Sequence, residues 1–408
     1  MIIDYSIQQF NKQGKILCGD SIEVFEDENS KIFVLSDGLG SGVKANISST
    51  YTKIILSKFL MNNMPLEQSV KVLKNILPTC RERKIAYSTF TVIQIFNDLR
   101  VRIIEYDNPL VFYFNHLKLK EYERKKIVCE GEDIFISDFR IEKDDFLVLA
   151  SDGLVQAGRG KLLKDGWGWD RVALFLEQSL QIHPSSENIS HSLIHYAKYI
   201  ENGSLSDDIT ILVINPRDRV QLNIAIGPPK SESDDKKYVE TFCACDGQKI
   251  LCGGTTAKVF ARVLNKKLTV DQNQFVNDIP AKSHLDGFDL VSEGVLTLEK
   301  VVKWFDFTHE FDFQYEYIKS LHDINKIYGF KTPSQNNIKE IKLVKREPDN
   351  PVEEIIFMLK KADDINFFLG KASNYNNGKY SSDEKNAIIN KLIEKLKELN
   401  KNVTVTEF

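Results

Sequence analysis

Three short acidic motifs, each beside an apolar run, constrain this chain more than any other feature of its sequence. They are SDGLGSG at Ser36–Gly42, ASDGL at Ala150–Leu154 and SDDIT at Ser206–Thr210. We interpret each apolar run as a buried strand that ends at the first aspartate of its motif. The pattern therefore predicts that Asp37, Asp152 and Asp207 meet at one end of a sheet core.

Carboxylates in such a cluster repel one another and raise one another's pKa values unless protons or metal ions neutralise them. Oxygen ligands without nearby histidine or thiolate favour Mg²⁺ or Mn²⁺ over zinc. A single SDG motif is most simply a turn in which the aspartate bonds its own backbone. Three such aspartates beside apolar strands predict a site for divalent cations instead.

Length and charge limit the classes of protein that remain. The chain has 408 residues, which exceeds the usual size of one hydrophobic core and predicts two domains. Its net charge of −4 provides no basic field and argues against nucleic acid as a partner. The sequence lacks a signal-peptide pattern and any apolar stretch long enough to span a bilayer, so we expect a cytoplasmic protein without a membrane partner.

The first half of the chain mixes strand and helix patterns. A strand is predicted at Lys31–Leu35, and a hairpin is predicted from Thr89–Phe96 and Leu99–Tyr106. Further elements are helices at Val43–Met61, Leu66–Leu77, Asp170–Leu180 and Ser185–Tyr199 and a strand at Ile209–Ile214. The pattern predicts an α+β sandwich in which helices cover antiparallel sheets.

A second domain is predicted after a break in the strand pattern. The segment Asn215–Gln221 combines proline with charge, so we place the junction at about residue 217 and expect domains of residues 1–216 and 217–408. The second, smaller domain is predicted to be α/β. Its predicted elements are Leu222–Ile226, Lys249–Leu251, Asp289–Thr297, Glu340–Val344, Val352–Leu359 and the amphipathic helix Ser382–Asn400.

The order and the residues of these motifs resemble those of the metal-dependent serine/threonine phosphatases of the protein phosphatase 2C (PPM) superfamily. The resemblance is carried by GDS at Gly19–Ser21, SDGLGSG, FLVLASDGL at Phe146–Leu154 and SDDITILVI at Ser206–Ile214. Within the superfamily the sequence is most similar to the bacterial SpoIIE-like branch, whose signature couples DG(M/L)GSG to a final DD(I/M)T. The resemblance covers about residues 1–216 and implies two central antiparallel sheets flanked by helices.

The resemblance also implies roles for individual residues. Asp37 would bridge two metal ions, and the carbonyl group of Gly38 would bind one of them. Asp152 and Asp207 would complete the shell of the second ion. The ions would be Mn²⁺ or Mg²⁺.

Two further carboxylates are candidates for supporting roles or for a third ion. Asp20 is expected close to the two ions, where it would hold a metal-bound water. Asp208 occupies a position where the wider superfamily more often has asparagine. Its role therefore stays open.

Two features of the wider family are missing here. The protein phosphatase 2C pattern places histidine after the first Asp-Gly and arginine before the first motif. In this chain Leu39 follows Gly38, and Lys12 and Lys15 are the nearest basic residues upstream. The leaving-group acid and the phosphate clamp are therefore unassigned, and protonation by a metal-bound water is a hypothesis.

Two divalent ions overcome the resistance of a phosphate monoester to water, because they deprotonate a bridging water and screen the phosphoryl charge. The predicted function is hydrolysis of phosphoserine or phosphothreonine in a protein substrate by a hydroxide that bridges both ions, in bacterial signalling. Two alternatives stay open. One is a phosphatase of small phosphorylated metabolites, and the other is a catalytically silent phosphatase fold that binds a partner.

The second half offers weaker candidates. Cys243, Cys245 and Cys252 suggest a metal or redox site, but no fourth ligand is nearby, and small apolar residues on a strand pair are the favoured interpretation. The glycine and threonine pairs at residues 253–256 precede a helix and suggest an anion site, although the P-loop lysine and spacing are missing. The resemblance implies a regulatory or interaction domain, and the helix from Ser382 allows a possible homodimer.

Overall fold

The computed structural model describes residues 1–62, 64, 68, 71–72, 88–129, 131–182, 184–270, 282–305, 350–372 and 382–408. The chain divides into two compact units. Among the described residues, the first unit is Met1–Asp218 and the second begins at Arg219.

The first unit contains two antiparallel sheets. Its strands are β1 (Ile2–Phe10), β2 (Asp20–Glu26), β3 (Ser30–Gly38), β4 (Ser88–Phe96), β5 (Arg100–Tyr106), β6 (Phe112–Asn115), β7 (Lys118–Leu119), β8 (Lys125–Cys129), β9 (Glu132–Arg140), β10 (Phe146–Ala150) and β11 (Ile209–Arg217). Its helices are α1 (Val43–Met61), α2 (Asp152–Gln156), α3 (Trp169–Ile182) and α4 (Ser186–Ile200). The strand orders are β1-β11-β10-β6-β7 and β2-β3-β4-β5-β9-β8.

Strand β10 illustrates how the layers are held together. Successive side chains of a strand point to opposite faces of the sheet. Leu147 and Leu149 pack into the core between the two sheets, whereas Phe146 and Val148 pack beneath α3 and α4. Helix α1 covers the outer face of the other sheet, where Leu56 is buried. The first unit is therefore a four-layered αββα sandwich, as predicted.

Most of the elements predicted for this unit are confirmed. Strand β4 pairs with β5 as a hairpin, with Val92 opposite Ile104. The predicted helix Val43–Met61 is α1, and the two later predicted helices coincide with α3 and α4 to within two residues at each end. The predicted helix Leu66–Leu77 lies largely outside the described residues.

The predicted break at Asn215–Gln221 is wrong at its start. Strand β11 continues through Pro216, which lies opposite Ile3 of β1. Proline lacks only its own backbone N–H donor. The carbonyl oxygen of Pro216 still accepts the N–H of Asp144 at 2.7 Å. A proline near the end of a strand is therefore tolerated.

The second unit contains one mostly parallel sheet. Its strands are β12 (Gln221–Ile226), β13 (Gln248–Cys252), β14 (Thr269–Val270), β15 (Ser283–His284), β16 (Leu290–Ser292), β17 (Asp364–Leu369) and β18 (Asn402–Glu407). Its helices are α5 (Asp235–Cys243), α6 (Gly254–Leu264), α7 (Val295–Trp304), α8 (Pro351–Lys361) and α9 (Ser382–Glu398). Helices α7, α8 and α9 pack on one face and α5 and α6 on the other, which gives a doubly wound α/β fold.

Of two further predictions for the second unit, one needs correction and the other lies outside the described residues. The strand predicted at Asp289–Thr297 comprises only Leu290–Ser292, because the chain leaves the sheet at Glu293 and α7 begins at Val295. The strand predicted at Glu340–Val344 lies outside the described residues.

The amphipathic helix near the C-terminus, α9, packs on its own unit. Its apolar side chains Ile389, Leu392 and Leu396 lie in the core beneath α7 and α8. Among the described helices, none combines the length and apolar character required to cross a bilayer.

Helix α4 generates a prediction about acid stability. Burial, together with the positive charges of His191 and Lys198, lowers the pKa of His195 to about 4, whereas an unfolded chain has a histidine pKa of about 6.5. Between these values the unfolded state binds more protons, so stability falls as the pH falls through this window. We expect His195→Gln to lose less thermal stability than the wild type between pH 7 and pH 5.

The thermal midpoint, measured across this pH range, checks the prediction. His284→Gln is the matched control, because His284 is exposed on β15, and it should keep the wild-type pH dependence. Identical pH dependence of His195→Gln and the wild type would contradict this assignment.

Candidate metal centre

The predicted carboxylates come to one end of the sandwich from separate segments. Asp37 lies near the end of β3, directly opposite Asp20 at the start of β2. Asp152 is the first residue of α2 and follows β10. Because β10 and β11 are antiparallel, the segment before β11, which contains Asp207, lies beside the end of β10. The expectation that a strand ends at Asp207 is wrong, since β11 starts after it.

Asp37 lies where several negative charges converge. Burial, the charges of Asp20 and Asp152, a hydrogen bond to Asp152 and the charge of Asp207 together raise the pKa of Asp37 to about 10. Asp20, Asp152 and Asp207 are therefore all within electrostatic reach of Asp37. Such a carboxyl group keeps a proton at neutral pH unless a cation stabilises its charged form.

Asp20 is buried behind this cluster. Its Oδ2 accepts a hydrogen bond from Oγ1 of Thr210 at 2.7 Å. Burial raises the pKa of Asp20 to about 6, although hydrogen bonds from Thr210 and Ser151 oppose the shift. Asp20 therefore connects the start of β2 to the first turn of α2 and the start of β11.

Asp208 has its two carboxylate oxygens bonded to backbone donors. Oδ1 accepts the N–H of Lys12 at 2.7 Å, and Oδ2 accepts the N–H of Gly19 at 2.8 Å. The side chain is almost fully buried, with 4% of its residue surface exposed. Asp208 thus anchors the segment that connects β1 to β2.

Asp207 is half-buried and faces a lysine. Its Oδ1 lies 3.8 Å from Nζ of Lys12 and accepts the N–H of Asp208 at 3.0 Å. Burial raises the pKa of Asp207, and the charge of Lys12 opposes that shift. Across the described part of the chain, no three His, Cys, Asp or Glu side chains form a group that could hold a metal ion as they stand.

The chemistry of the donors nevertheless fits a hard divalent cation. Asp37 and Asp152 are in contact, and the charge of Asp207 reaches Asp37. These donors are oxygen atoms, which Mg²⁺ and Mn²⁺ prefer. A bound cation would compete with Lys12 for Asp207 and with Gln156 for Asp152, whose Oδ2 accepts the Nε2 donor of Gln156 at 2.6 Å.

Two glycines permit the close backbone approach on which this end of the sandwich depends. A Cβ atom on Gly38 would collide with the carbonyl oxygen of Ala45 in the first turn of α1. A Cβ atom on Gly153 would collide with the carbonyl oxygen of Asp208. Only glycine at these positions allows α1 to approach β3 and α2 to approach the segment before β11.

The hydroxyl groups that hold the carboxylates were not predicted. Oγ of Ser151 accepts the N–H of Thr210 at 3.0 Å, and Oγ of Ser88 donates to the backbone carbonyl of Asp37 at 2.9 Å. Gln9 adds a third contact, because its Nε2 donates to Oγ1 of Thr210 at 3.1 Å. The available signal was the hydroxyl residue beside each aspartate, as in ASDGL and SDDIT.

The three cysteines of the second unit do not form a common site. Cys243 ends α5, and Cys243 and Cys245 pack on the face covered by α5 and α6. Cys252 ends β13 in the core on the opposite face. The interpretation as residues of a strand pair is therefore wrong for Cys243 and Cys245. Burial raises the pKa of the Cys252 thiol to about 12, so this thiol stays protonated.

Comparison with known proteins covers the first unit. Residues 27–217 match the family model described as stage II sporulation protein E (SpoIIE). Stage II sporulation protein E of Priestia megaterium is 21% identical over 217 residues, which are 52% of this chain and 36% of that protein. Phosphoserine phosphatase RsbX of Bacillus subtilis (strain 168) is 35% identical over 71 residues, 17% of this chain and 36% of that protein. The chain spans little more than a third of the length of these relatives.

Solved structures of similar proteins align with about half of the chain. The PP2C phosphatase domain of SpoIIE from Bacillus subtilis, solved with a fragment of its regulatory domain, aligns with a TM-score of 0.45 and 19% identity, over 53% of this chain and 64% of that chain. RsbX in complex with magnesium aligns with a TM-score of 0.37 and 21% identity, over 52% of this chain and 99% of that chain.

The first unit combines an αββα sandwich with three acidic motifs at one end, and its residues 27–217 match the SpoIIE family model. The pairing of DGLGSG with the final DDIT, together with this match, makes this part of the chain similar to the SpoIIE-like phosphatases. The family match ends at residue 217 and does not extend into the second unit.

The close packing at Gly153 generates a prediction about stability. Gly153→Ala should push Asp208 away from α2, and overpacking of this kind costs about 1–3 kcal/mol. Chemical denaturation measures the loss. Gly254→Ala is the matched control, because a Cβ atom there meets nothing within 4 Å, and it should leave stability nearly unchanged. Equal stabilities of the two variants would refute the packing argument.

Proposed function

We propose that the first unit hydrolyses phosphoserine or phosphothreonine in a protein substrate, with two divalent cations, Mn²⁺ or Mg²⁺, as cofactors. The observation that carries the proposal is the convergence of carboxylates around Asp37, whose pKa is raised by burial and by its neighbours. The similarity to a protein named phosphoserine phosphatase RsbX supports the reaction. A structure of RsbX with magnesium supports the cofactor.

In this proposal the cations are held by Asp37, the carbonyl oxygen of Gly38, Asp152 and Asp207. When bound, such ions supply a water that is deprotonated near neutral pH and screen the phosphoryl charge. Asp20 and Asp208 keep the ends of β2 and β11 together through their hydrogen bonds. A third ion at either residue stays an option within the proposal.

Lys12 is our candidate for binding the phosphoryl oxygens of the substrate. Its ammonium group lies 3.8 Å from Asp207, and both side chains are more than a third exposed. An exposed ion pair of this kind is weak. If a cation takes Asp207, Lys12 is released at the edge of the site, where it can contact a phosphate dianion.

For residues 217–408 we propose a regulatory or substrate-recruiting role. The support is the analogy with SpoIIE-like phosphatases, whose phosphatase domains usually accompany such a module. A homodimer formed through this unit is part of the same proposal.

Replacing Asp37 tests the metal centre. We expect Asp37→Asn to reduce Mn²⁺-dependent hydrolysis of p-nitrophenyl phosphate roughly a hundredfold or more, because a charged ligand is lost. Asp152→Asn should behave similarly. Asp138→Asn is the matched control, because Asp138 lies exposed on β9 in an ion pair with Arg102, and it should retain activity.

A chelator should abolish turnover by the wild type and by the Asp138→Asn control. If Asp37→Asn keeps metal-dependent turnover, the ligand assignment is wrong. If the folded wild type shows no metal-dependent turnover, the catalytically silent binding protein becomes the better interpretation.

The substrate class requires a separate measurement. We expect kcat/KM for phosphoserine and phosphothreonine peptides to exceed that for sugar phosphates by about a hundredfold, since a protein phosphatase gains binding energy from the flanking peptide. Steady-state kinetics with both substrate panels, at saturating Mn²⁺, provide the comparison. A preference for sugar phosphates would favour a phosphatase of small metabolites.

A further inference from the structure

The parallel sheet of the second unit has a topological switch point. Its parallel strands lie in the order β16-β13-β12-β17-β18. From β12 the chain winds through β13 to β16 on one side and then returns to β17 and β18 on the other. In open α/β sheets, ligands bind outside the carboxyl ends of the strands where the winding reverses. In this unit that position is the edge beyond the ends of β12 and β17.

Glycine-containing loops form a continuous rim along this edge. The glycines are Gly227 after β12, Gly253 and Gly254 after β13, Gly294 after β16 and Gly370 after β17. The N–H of Gly227 donates to Oγ1 of Thr256 at 2.9 Å, which joins the first two loops. A Cβ atom on Gly294 would lie 3.5 Å from Cα of Gly253, which joins the second and third. The rim therefore presents backbone with few side chains in the way.

Two of the described helices begin on this rim without a capping side chain, and the exposed Glu293 directly precedes the N-cap of the second. Helices α6 and α7 have Gly253 and Gly294 as N-caps, no capping side chain and no acidic residue in the first turn. Helix α8 differs, because the Asn350 side chain caps it and its first turn carries two glutamates. The first-turn N–H groups of α6 and α7 therefore keep their partial positive charge.

A buried hydroxyl group in α7 also lacks a partner. Thr297 lies in the first turn of α7, and its Oγ1 is buried without a hydrogen-bond partner among the described residues. Buried hydroxyl groups in native proteins normally have a partner. The hydroxyl group of Thr297 is therefore a second polar feature in the first turn of α7 that the described residues leave unsatisfied.

A lysine lies at the switch point itself. Nζ of Lys385 donates to the carbonyl oxygen of Gly370 at 3.2 Å and is the nearest atom to the position of a Cβ on Gly227. Burial lowers the pKa of Lys385, and no carboxylate of the described chain pairs with it. The preceding residues Asp383 and Glu384 are exposed. A partly buried ammonium group without a counter-ion is costly, and a bound anion would offset this cost.

We propose that this rim binds the diphosphate group of a small molecule. Lys385 would contact one end of the group, and the first turns of α6 and α7 would contact the other. Lys385 lies beside the ends of β12 and β17, whereas α6 and α7 start after β13 and β16. The ammonium group and the helix N-termini are therefore separated by more than one strand spacing of about 4.8 Å. This span favours an extended diphosphate over a single phosphate. The inference is independent of the function proposed for the first unit.

Calorimetric titration of the full chain in EDTA tests the proposal, because chelation removes divalent cations from the first unit. The probes are inorganic diphosphate, ADP and inorganic phosphate. We expect diphosphate, ADP or both to bind at one site per chain, at least tenfold more tightly than inorganic phosphate. No binding by any probe would overturn the proposal, and equal affinity for phosphate would overturn the diphosphate assignment.

Two variants locate the site. Lys385→Met keeps the apolar stem and removes the half-buried amine, so its thermal midpoint should equal or exceed that of the wild type while its Kd rises at least tenfold. Lys391→Met is the matched control on the exposed face of α9 and should keep the wild-type Kd.

Gly254→Asp provides a second, independent variant. A Cβ atom at Gly254 meets nothing within 4 Å, and an acidic residue stabilises a helix N-terminus, so this variant should fold. Its new charge should repel an anion at α6 and raise the Kd at least tenfold. Wild-type affinity in both Lys385→Met and Gly254→Asp would overturn the assigned location.

Discussion

Repulsion among the carboxyl groups gathered at one end of the sandwich is the constraint that the first unit has to satisfy. Burial raises the pKa of Asp37 most, and the neighbouring charges of Asp20 and Asp152 raise it further. Such a cluster costs folding free energy. The rest of the fold must therefore hold these groups together against their mutual repulsion.

Three kinds of contact supply that support. The apolar core between the sheets fixes β3 and β10, whose ends carry Asp37 and Asp152. Close packing at Gly38 and Gly153 brings α1 and α2 against the neighbouring backbone. Asp208 then ties the β1–β2 connection to the start of β11 by two hydrogen bonds to backbone N–H groups. Two ligand candidates have other partners as well: Oδ2 of Asp152 accepts a hydrogen bond from Nε2 of Gln156 at 2.6 Å, and Oδ1 of Asp207 lies 3.8 Å from Nζ of Lys12.

The strands that carry the site could be predicted because buried strands appear in the sequence as short, continuous apolar runs. Strand β10 is buried on both faces, so FLVLA is a continuous apolar run, and the aspartate after it is easy to place. The position of Asp207 was harder to predict. The apolar run of SDDITILVI follows its aspartates, and only the antiparallel pairing of β10 with β11 brings the start of one strand to the end of the other.

Contacts between distant segments explain what the sequence did not reveal. Cys243, Cys245 and Cys252 are neighbours in sequence but lie on opposite faces of a sheet, because a helix end and a turn separate the first two from β13. The bonds from Ser151 to Thr210 and from Thr210 to Asp20 likewise join residues far apart in the chain. No local pattern encodes such pairings.

Each unit contains charged or polar groups that lack sufficient partners of opposite charge, and the sign of that charge differs between the two units. The first gathers several carboxyl groups beside a single paired lysine, Lys12, and the second has, among its described residues, two helix N-termini without capping side chains and Lys385 without a paired carboxylate. In each case the surrounding core is well packed, so the imbalance is confined to one edge of a sheet. Because natural sequences usually satisfy such groups locally, uncompensated charge on a well-packed scaffold indicates that a ligand completes the site. The sign of the charge then determines the class of ligand, which is a cation for the first unit and an anion for the second.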